Sequence, residues 1–253
     1  MWLGIVSLFP EMFATATEAG VLGRAVQRAV VDLEVFNPRD FARDKHRTVD
    51  DRPYGGGAGM VLMVEPINAA IAAARAAATA RSIVAPVIYL SPQGDRLDQR
   101  KVESLAQNDG IILLAGSYEG VDERLLETQA DEQLSIGDYV LTGGELPAMI
   151  VMDAVSRLLP GTLGNPASVV EESHLDGLLD YPHYTRPENT AVGVVPAVLM
   201  SGDHGAIQRW RRKEALWRTW QRRPDLLANR PLSEEEQKLL AELFELDEEQ
   251  DRA

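Results

Sequence analysis

The 253-residue sequence contains no cysteine, which excludes disulfide bonds and thiolate metal ligands. Its four histidines are scattered and form no HExxH pattern, so the sequence predicts no metal site. No apolar run approaches the length that spans a bilayer, and the start MWLGIVSLFPEMF lacks the basic region of a signal peptide. We therefore expect a cytoplasmic protein that does not associate with membranes.

Basic residues are scarce relative to acidic ones, with 25 Lys and Arg against 39 Asp and Glu and a net charge of −14. A generic nucleic-acid binder needs Lys and Arg to neutralise phosphates, so this charge favours an enzyme that acts on a small molecule. The basic residues are nevertheless concentrated between Arg209 and Arg223. A local basic face allows an acidic protein to bind RNA, and both classes therefore stay open.

Several motifs of common ligand sites are also missing. No GxGxxG follows the first predicted strand, and no GxxxxGK[ST] or GxSxG occurs, so neither a dinucleotide fold nor a P-loop nor a nucleophile elbow is supported. Apolar runs do alternate with helical patterns up to about residue 160. The predicted strands are LGIVSLF, DLEVFNP, PVIYLS and GIILLAG, and the predicted helices span 11–31, 66–81, 99–107 and 145–159. This alternation predicts an α/β domain with a mainly parallel sheet.

The pattern breaks between Pro160 and about Asp180 into glycine, proline, asparagine and charged residues, which predicts a linker or a mobile loop. Beyond it, residues 204–227 and 232–246 read as two helices, and Ser233 with Glu236 is a capping-box signature. We therefore predict three parts, namely an α/β domain (1–163), a connector (164–178) and a helical domain (179–253).

Three glycine-bearing loops in the first domain are candidates for a ligand site. YLSPQG (89–94) and AGSYEG (115–120) follow predicted strands, whereas SIGDYVLTGGELP (135–147) precedes a helix. Open α/β sheets bind ligands at the carboxyl ends of their strands, and glycine lets the backbone approach a ligand closely. The alternative for each loop is an ordinary turn.

Two further stretches carry weaker signals. RPYGGGAGM (52–60), near His46 and Arg47, is a flexible loop that either folds over a ligand or stays a disordered surface loop. RWRRKEALWRTWQRR (209–223) interleaves three tryptophans with basic side chains. On a helix, the tryptophans would form the packing face of a small domain, and the arginines opposite would contact phosphates or solvent.

Six long strings of this sequence resemble the bacterial tRNA (guanine-37-N1)-methyltransferase family of the SPOUT superfamily, from residue 1 to about residue 240. They are MWLGIVSLFPEMF, NPRDFARDKHRTVDDRPYGGGAGM, IYLSPQG, GSYEGVDER, SIGDYVLTGGELPAM and LLDYPHYTRP. The resemblance implies an α/β SPOUT-type mainly parallel sheet with a deep trefoil knot, plus a small C-terminal all-helical domain. It also implies a homodimer whose active sites are shared between the subunits.

The implied activity is methyl transfer from S-adenosylmethionine to N1 of guanine 37 in tRNA, with a preference for guanine at position 36 and a need for Mg²⁺. By motif, the resemblance places the methyl donor, in a bent form, on the three loops. Backbone groups of the third loop would recognise adenine, and Pro147 would close the pocket. The implied donor-binding residues are Tyr89, Leu90, Ser91, Pro92, Gly94, Gly116, Tyr118, Glu119, Ile136, Gly137, Asp138, Tyr139, Val140, Leu141, Gly143, Gly144 and Pro147.

The chemistry requires a base and a cation. Guanine N1 carries a proton at neutral pH that a base must remove, and negative charge then develops toward O6. The resemblance assigns the cation to Arg157, whose alternative is an ordinary helix-surface arginine, and the base to Glu172 in the connector. Relatives usually carry aspartate there, and since a misplacement of about 1 Å can cost about 10²-fold in rate, we expect retained but reduced activity.

A second departure is Ser117, which stands where the family usually has arginine. The residues that the resemblance assigns to RNA are His46, Arg47, Asp50, Gly59, His183, Arg186, Arg209 and Arg212. Two rival hypotheses remain at this stage. One is an RNA-binding homologue that has lost or weakened catalysis, and the other is a small-molecule enzyme on an α/β scaffold.

Overall fold

The computed structural model describes residues 1–163, 173–174 and 176–251. The chain divides into two compact units, Met1–Pro166 and Ala167–Ala253. The strands of the first unit are β1 (Trp2–Val6), β2 (Asp32–Phe36), β3 (Asp50–Asp51), β4 (Val61–Leu62), β5 (Val87–Arg96), β6 (Gly110–Ala115) and β7 (Glu132–Ser135). Its helices are α1 (Glu11–Glu18), α2 (Gly20–Gln27), α3 (Val64–Ala80), α4 (Gln99–Ala106), α5 (Glu123–Gln129) and α6 (Glu145–Leu158).

Five of these strands form a parallel sheet in the order β2-β1-β6-β5-β7, which confirms the predicted α/β architecture. β1 and β6 are buried along their whole length, as expected for strands covered on both faces. Alternate residues supply the two faces: Ile112 and Leu114 belong to the cluster that packs on α3, whereas Ile111 and Leu113 belong to the cluster that includes α6. The sheet therefore has an apolar layer on each side.

The predicted helix over 11–31 is wrong, because two helices occupy this range. Ala19 is extended and Gly20 has φ of 71°, so the first helix ends at Glu18 and the second begins at Gly20. Glycine adopts positive φ without the steric cost that other residues meet. The sequence analysis also missed β7 and α5. The missed strand places the third glycine loop at the carboxyl end of a sheet strand, just as the second loop follows β6. The first predicted loop, 89–94, instead lies within β5, in the bulge between Leu90 and Asp95.

The described part of the second unit contains a short hairpin, β8 (Asn189–Thr190) and β9 (Gly193–Val194), and the helices α7 (His204–Arg222), α8 (Pro224–Ala228) and α9 (Glu234–Asp251). The predicted helix over 204–227 therefore breaks before Pro224, as proline cannot continue the hydrogen-bond ladder. The capping box is confirmed, because Ser233 N–H donates to Glu236 Oε2 (2.7 Å) and Glu236 N–H donates to Ser233 Oγ (3.2 Å).

The predicted packing role of the three tryptophans is confirmed in part, because Trp217 and Trp220 contact Phe244 of α9 (ring centroids 6.2 and 4.9 Å apart) and Trp210 contacts Tyr184 (6.3 Å). None of the three belongs to the buried core of this unit, however. That core consists of Leu178, Ala215, Leu216, Leu239 and Leu240. Trp217 and Trp220 also stack on each other with ring centroids 5.0 Å apart, and Trp220 is 39% exposed. The helix turns Ala215, Leu216 and Thr219 inward, so the tryptophans lie beside the buried stripe and not within it.

Candidate active site

A cavity of ≈ 270 Å³ lies at the carboxyl ends of β6 and β7 and beside the bulge in β5. Its walls are the three glycine-bearing loops, which the strand order β6-β5-β7 makes neighbours. Every residue that the sequence analysis assigned to the methyl donor lines this cavity except Gly94 and Asp138. This edge of a parallel sheet is where open α/β proteins bind their ligands.

The two exceptions have structural explanations. At Gly94, an added Cβ would lie 2.4 Å from the carbonyl carbon of Gln133, so glycine is required there for the close approach of β5 to β7. The bulge that contains it is shown by the pairing of both Leu90 and Asp95 with Leu134. Asp138 is exposed and does not line the cavity. Gly94 and Asp138 therefore do not line the cavity, and their assignment to the methyl donor stays a prediction.

The floor of the cavity is built around Tyr89. This side chain is 7% exposed, and burial raises the pKa of its hydroxyl group despite an opposing hydrogen bond with the backbone of Val121. An added Cβ at Gly116 would lie 2.9 Å from the Tyr89 ring, and one at Gly120 would lie 3.4 Å from its hydroxyl group. The second loop therefore rests directly on the tyrosine, and glycine at 116 makes that contact possible.

The second and third loops are joined by backbone contacts. Gly144 N–H donates to Gly116 C=O (2.7 Å), and Ser117 pairs with Gly143 in an antiparallel bridge. An added Cβ at Gly144 would lie 2.7 Å from the Cα of Ala115. The two loops thus form one continuous wall, and the glycines allow their backbones to touch.

The cavity is also lined by residues that were not assigned individually. Those within the three predicted loops are Gln93, Ser117, Gly120, Ser135 and Thr142, and those that sequence reasoning missed altogether are Val121, Glu123, Leu126, Gln133 and Leu134. Ser117, the residue that departs from the family pattern, is 7% exposed, and its hydroxyl group makes no hydrogen bond among the described residues. The missed residues directly follow the second loop or lie on β7 and α5, so correct prediction of those two elements would have indicated most of them.

The glycine-rich stretch 52–60 reaches the same site. Met60 C=O accepts a hydrogen bond from Glu119 N–H (3.0 Å), and Leu62 N–H donates to Gly120 C=O (2.9 Å). Gly59 is in close contact with the Glu119 side chain. The structure therefore brings Gly59, which was assigned to RNA, next to Glu119, which was assigned to the methyl donor.

Arg157 lies away from this cavity. It is half-buried in the last turn of α6, and it is not among the lining residues. Pro147, which does line the cavity, precedes it by ten residues on the same helix, a rise of roughly 15 Å. Glu172, the assigned base, lies outside the described residues, and so does Glu171. The cavity of a single chain therefore does not include the assigned cation.

Three of the residues assigned to RNA in the first unit lie in or next to the exposed segment before β3, namely His46, Arg47 and Asp50. Arg47 forms an ion pair with Asp40 (3.3 Å), and His46 N–H donates to Asp44 Oδ2 (2.9 Å). Hydrogen bonds from Thr48 to the Asp44 carboxylate lower the pKa of Asp44. Asp50 pairs with Leu62 in the β3–β4 hairpin. These contacts fix the backbone of the segment while its basic side chains stay exposed.

In the second unit, two of the assigned arginines are engaged in ion pairs. Arg209 binds Glu242 (2.6 Å), and Arg212 binds both Asp176 and Glu236. These contacts indicate a structural role for Arg212. Arg186 is exposed, and His183 Nε2 lies 2.8 Å from Asp180 Oδ2. Arg186 and His183 therefore remain accessible to a ligand.

The described part of the chain shows neither a metal cluster nor a transmembrane helix. No group of three or more His, Cys, Asp or Glu side chains among these residues is placed to hold a metal ion. None of the described helices combines the length and apolar character needed to cross a membrane.

A parallel sheet with a glycine-lined cavity at its carboxyl edge defines a ligand-binding α/β domain of the kind found in enzymes. The chain belongs to the tRNA (guanine-1)-methyltransferase TrmD family, whose model matches residues 1–229, and this family is of the SPOUT type.

Three relatives carry the name tRNA (guanine-N(1)-)-methyltransferase. The protein from Pseudoalteromonas atlantica is 60% identical over 241 residues, which cover 95% of this chain and 90% of the relative. That from Klebsiella pneumoniae is 60% identical over 242 residues, covering 96% and 94%. That from Vibrio vulnificus is 56% identical over 245 residues, covering 97% of both chains.

Proposed function

We propose that this chain transfers a methyl group from S-adenosylmethionine to N1 of guanine 37 in tRNA, beside the anticodon. The observation that carries the proposal is the cavity beside β5, β6 and β7, in a chain whose relatives are named tRNA (guanine-N(1)-)-methyltransferase.

The residues of the cavity fit S-adenosylmethionine. Gly116, Gly143 and Gly144 line the cavity without side chains, so a purine can approach the backbone there, and the apolar side chains of Leu90, Ile136, Leu141 and Pro147 suit its faces. The carboxylate of Glu119, also on the wall, suits a positively charged ligand. When bound, this ligand would supply the electrophilic methyl group.

The acceptor side needs a base and a cation, and we assign these roles to Glu172 and Arg157. The Glu172 carboxylate would remove the proton from guanine N1, and the Arg157 guanidinium would stabilise the negative charge that develops at O6. Both assignments come from motif positions.

A homodimer with shared active sites would bring Arg157 to a cavity. At 100° per residue, Arg157 lies on the same face of α6 as Leu146 and Ile150, which are 49% and 45% exposed. On α1, which packs against α6, Met12 is also exposed. Exposed apolar side chains of this kind mark interaction surfaces, so a second copy bound here would lie beside Arg157.

We further propose that residues 1–163 bind the methyl donor, that 164–178 carry the catalytic carboxylate, and that 179–253 bind tRNA. Direct RNA contacts are proposed for His46, Arg47, Asp50, Gly59, His183, Arg186 and Arg209, with guanine at positions 36 and 37 as the recognised bases. Arg212 would support the RNA-binding unit through its ion pairs. The deep knot and the cytoplasmic location are likewise part of the proposal.

The resemblance also implies Mg²⁺, but the described residues supply no cluster for it. No described residue is therefore assigned to the ion. A requirement for Mg²⁺ is tested by adding a chelator to the methylation reaction.

Two measurements test the proposed function. Calorimetric titration with S-adenosylmethionine should show binding to the purified protein. Incubation with labelled donor and total tRNA, with Mg²⁺ present, should label the tRNA. Donor binding without any labelling of tRNA would indicate a catalytically inactive RNA-binding homologue, and absence of donor binding would contradict the proposal.

A further inference from the structure

A buried carboxylate lies directly behind one wall of the cavity. Glu145, the first residue of α6, is only 3% exposed, and its Oε1 accepts a hydrogen bond from Ser7 Oγ (2.7 Å). Ser7 is 1% exposed, follows β1, and also accepts a hydrogen bond from Phe9 N–H (3.0 Å). The amino-terminal end of a helix favours negative charge, which helps to explain a carboxylate at this buried position.

The third loop, which precedes Glu145, has local internal contacts. Tyr139 N–H and Ser135 Oγ both donate to Gly137 C=O, at 2.9 and 3.1 Å. These hydrogen bonds shape the loop, but they do not attach it to the rest of the sheet. Its position must therefore be set at its two ends.

The attachment at the far end involves Glu145. Gly143 and Gly144 pair with the second loop through backbone groups, as described above. The Glu145 carboxylate packs against this turn, since a Cβ added at Gly143 would lie only 2.4 Å from Glu145 Oε2. The hydrogen bond to Ser7 then ties this turn to the end of β1. Glu145 and Ser7 do not themselves line the cavity.

We propose that Glu145 is a positioning residue for the donor cavity and that it acts through its hydrogen bond with Ser7. The pair fixes the Gly143–Gly144 turn and thereby holds the third loop in the shape that binds the donor. This inference rests on the proposed function, because it takes S-adenosylmethionine as the ligand. Loosening the turn lowers the population of the binding-competent loop, and the apparent affinity falls by that factor.

Two nearly isosteric substitutions separate hydrogen bonding from packing. Glu145→Gln keeps an oxygen that accepts from Ser7, whereas Glu145→Met fills similar space without one. We expect the dissociation constant for S-adenosylmethionine, measured by calorimetry, to stay within about threefold for Glu145→Gln and to rise about tenfold for Glu145→Met. The affinity for tRNA should change in neither variant.

The reciprocal change is Ser7→Ala, which should also weaken donor binding about tenfold. Adding Ser7→Ala to Glu145→Met should have little further effect, because the hydrogen bond is already absent. Ser156→Ala is the matched control. Ser156 is a 1% exposed serine on the same helix whose hydroxyl group makes no hydrogen bond among the described residues, so its loss should leave donor affinity unchanged.

Thermal unfolding of each variant establishes that binding is measured on folded protein, and Ser7→Ala decides alone if Glu145→Met does not fold. Equal donor affinities for Glu145→Gln and Glu145→Met, or a Ser7→Ala affinity like that of the wild type, would overturn the inference. Wild-type protein that fails to bind S-adenosylmethionine would overturn both this inference and the proposed function. Wild-type protein that binds the donor but methylates no tRNA would overturn only the proposed function, and the variant affinities would still decide the role of Glu145.

Discussion

Gly59 and Glu119 are in direct contact, since a Cβ at position 59 would lie 2.2 Å from Glu119 Oε1 and 2.5 Å from its Cγ. This contact joins the glycine-rich stretch 52–60 to the second loop of the cavity. Because Glu119 also lines the cavity, a substitution at Gly59 that moves Glu119 should change the shape of the cavity.

We therefore expect Gly59→Ala to weaken S-adenosylmethionine binding about tenfold, since the methyl group displaces Glu119 and the backbone φ of 81° disfavours a side chain. Gly55→Ala is the matched control. Gly55 has φ of 86° in the same stretch, but a Cβ there meets no atom within 4 Å. Calorimetric titration of both variants checks this coupling, and equal affinities would show that the contact has no effect on the cavity.

A second prediction concerns the separation of Arg157 from the cavity of its own chain. Arg157→Ala removes the proposed cation. Leu141→Trp places a large ring in the donor cavity, which Leu141 lines with a side chain that is 39% exposed. Each variant alone should be inactive. If Arg157 acts on the partner's cavity, mixing and re-pairing the two variants should restore about a quarter of wild-type activity, since a mixed dimer has one complete site.

The mixture should stay inactive if Arg157 serves the cavity of its own chain. Size-exclusion chromatography of the mixture, with one variant tagged, measures how many mixed dimers have formed. The activity per mixed dimer is then the quantity that separates the two arrangements.

The third prediction concerns the proposed base. Single-turnover methylation should be abolished by Glu172→Gln, because an amide cannot accept the N1 proton, and it should be retained by Glu172→Asp. Glu171→Gln is the control for a neighbouring loss of charge and should be close to wild type. If Glu171→Gln abolishes methylation while Glu172→Gln does not, the base has been assigned to the wrong carboxylate.

The fourth prediction concerns stability and pH. Burial of the Glu236 carboxylate opposes its ionisation, but hydrogen bonds from Arg230, Ser233 N–H and Arg212 outweigh that effect and lower its pKa to about 2. Because the folded pKa lies below the ordinary value of 4.5, the stabilisation is present at neutral pH and is lost as the pH falls from about 4.5 toward 2.

Glu236→Gln should therefore lower the free energy of unfolding of the helical unit at pH 7 by about 1–3 kcal/mol, which lowers its thermal unfolding midpoint by several degrees. Near pH 2 the substitution should make little difference. Glu235→Gln, an exposed neighbour in the same turn, should have no comparable effect at either pH. Circular dichroism melts across this pH range provide the measurement. A difference that persists unchanged near pH 2 would show that ionisation of Glu236 is not its source.

The elements that the sequence could predict are those whose own residues decide their structure. β1 and β6 are continuous apolar runs, and α6 has apolar residues at helical spacing. β7 reads EQLS, with one large apolar residue, and it forms a strand because it pairs with β5. Such a strand depends on tertiary contacts that local patterns do not contain.

The site could be predicted in the same partial way. Glycine marked each loop, but that the three loops meet follows from the strand order β6-β5-β7, which joins segments far apart in sequence. The hydrogen bond between Ser7 and Glu145 spans 138 residues and had no sequence signal. The assignment of the donor came from the resemblance, since spacing and composition indicated only a ligand site.

The most direct test of the account is methylation of tRNA transcripts that differ only at position 37. With S-adenosylmethionine and Mg²⁺ present, a transcript with guanine at 37 should yield N1-methylguanosine at that position, identified by nuclease digestion and mass spectrometry. A transcript with adenine at 37 should remain unmodified. Equal methylation of both transcripts, or no methylation of either, would contradict the proposal that this chain methylates guanine 37.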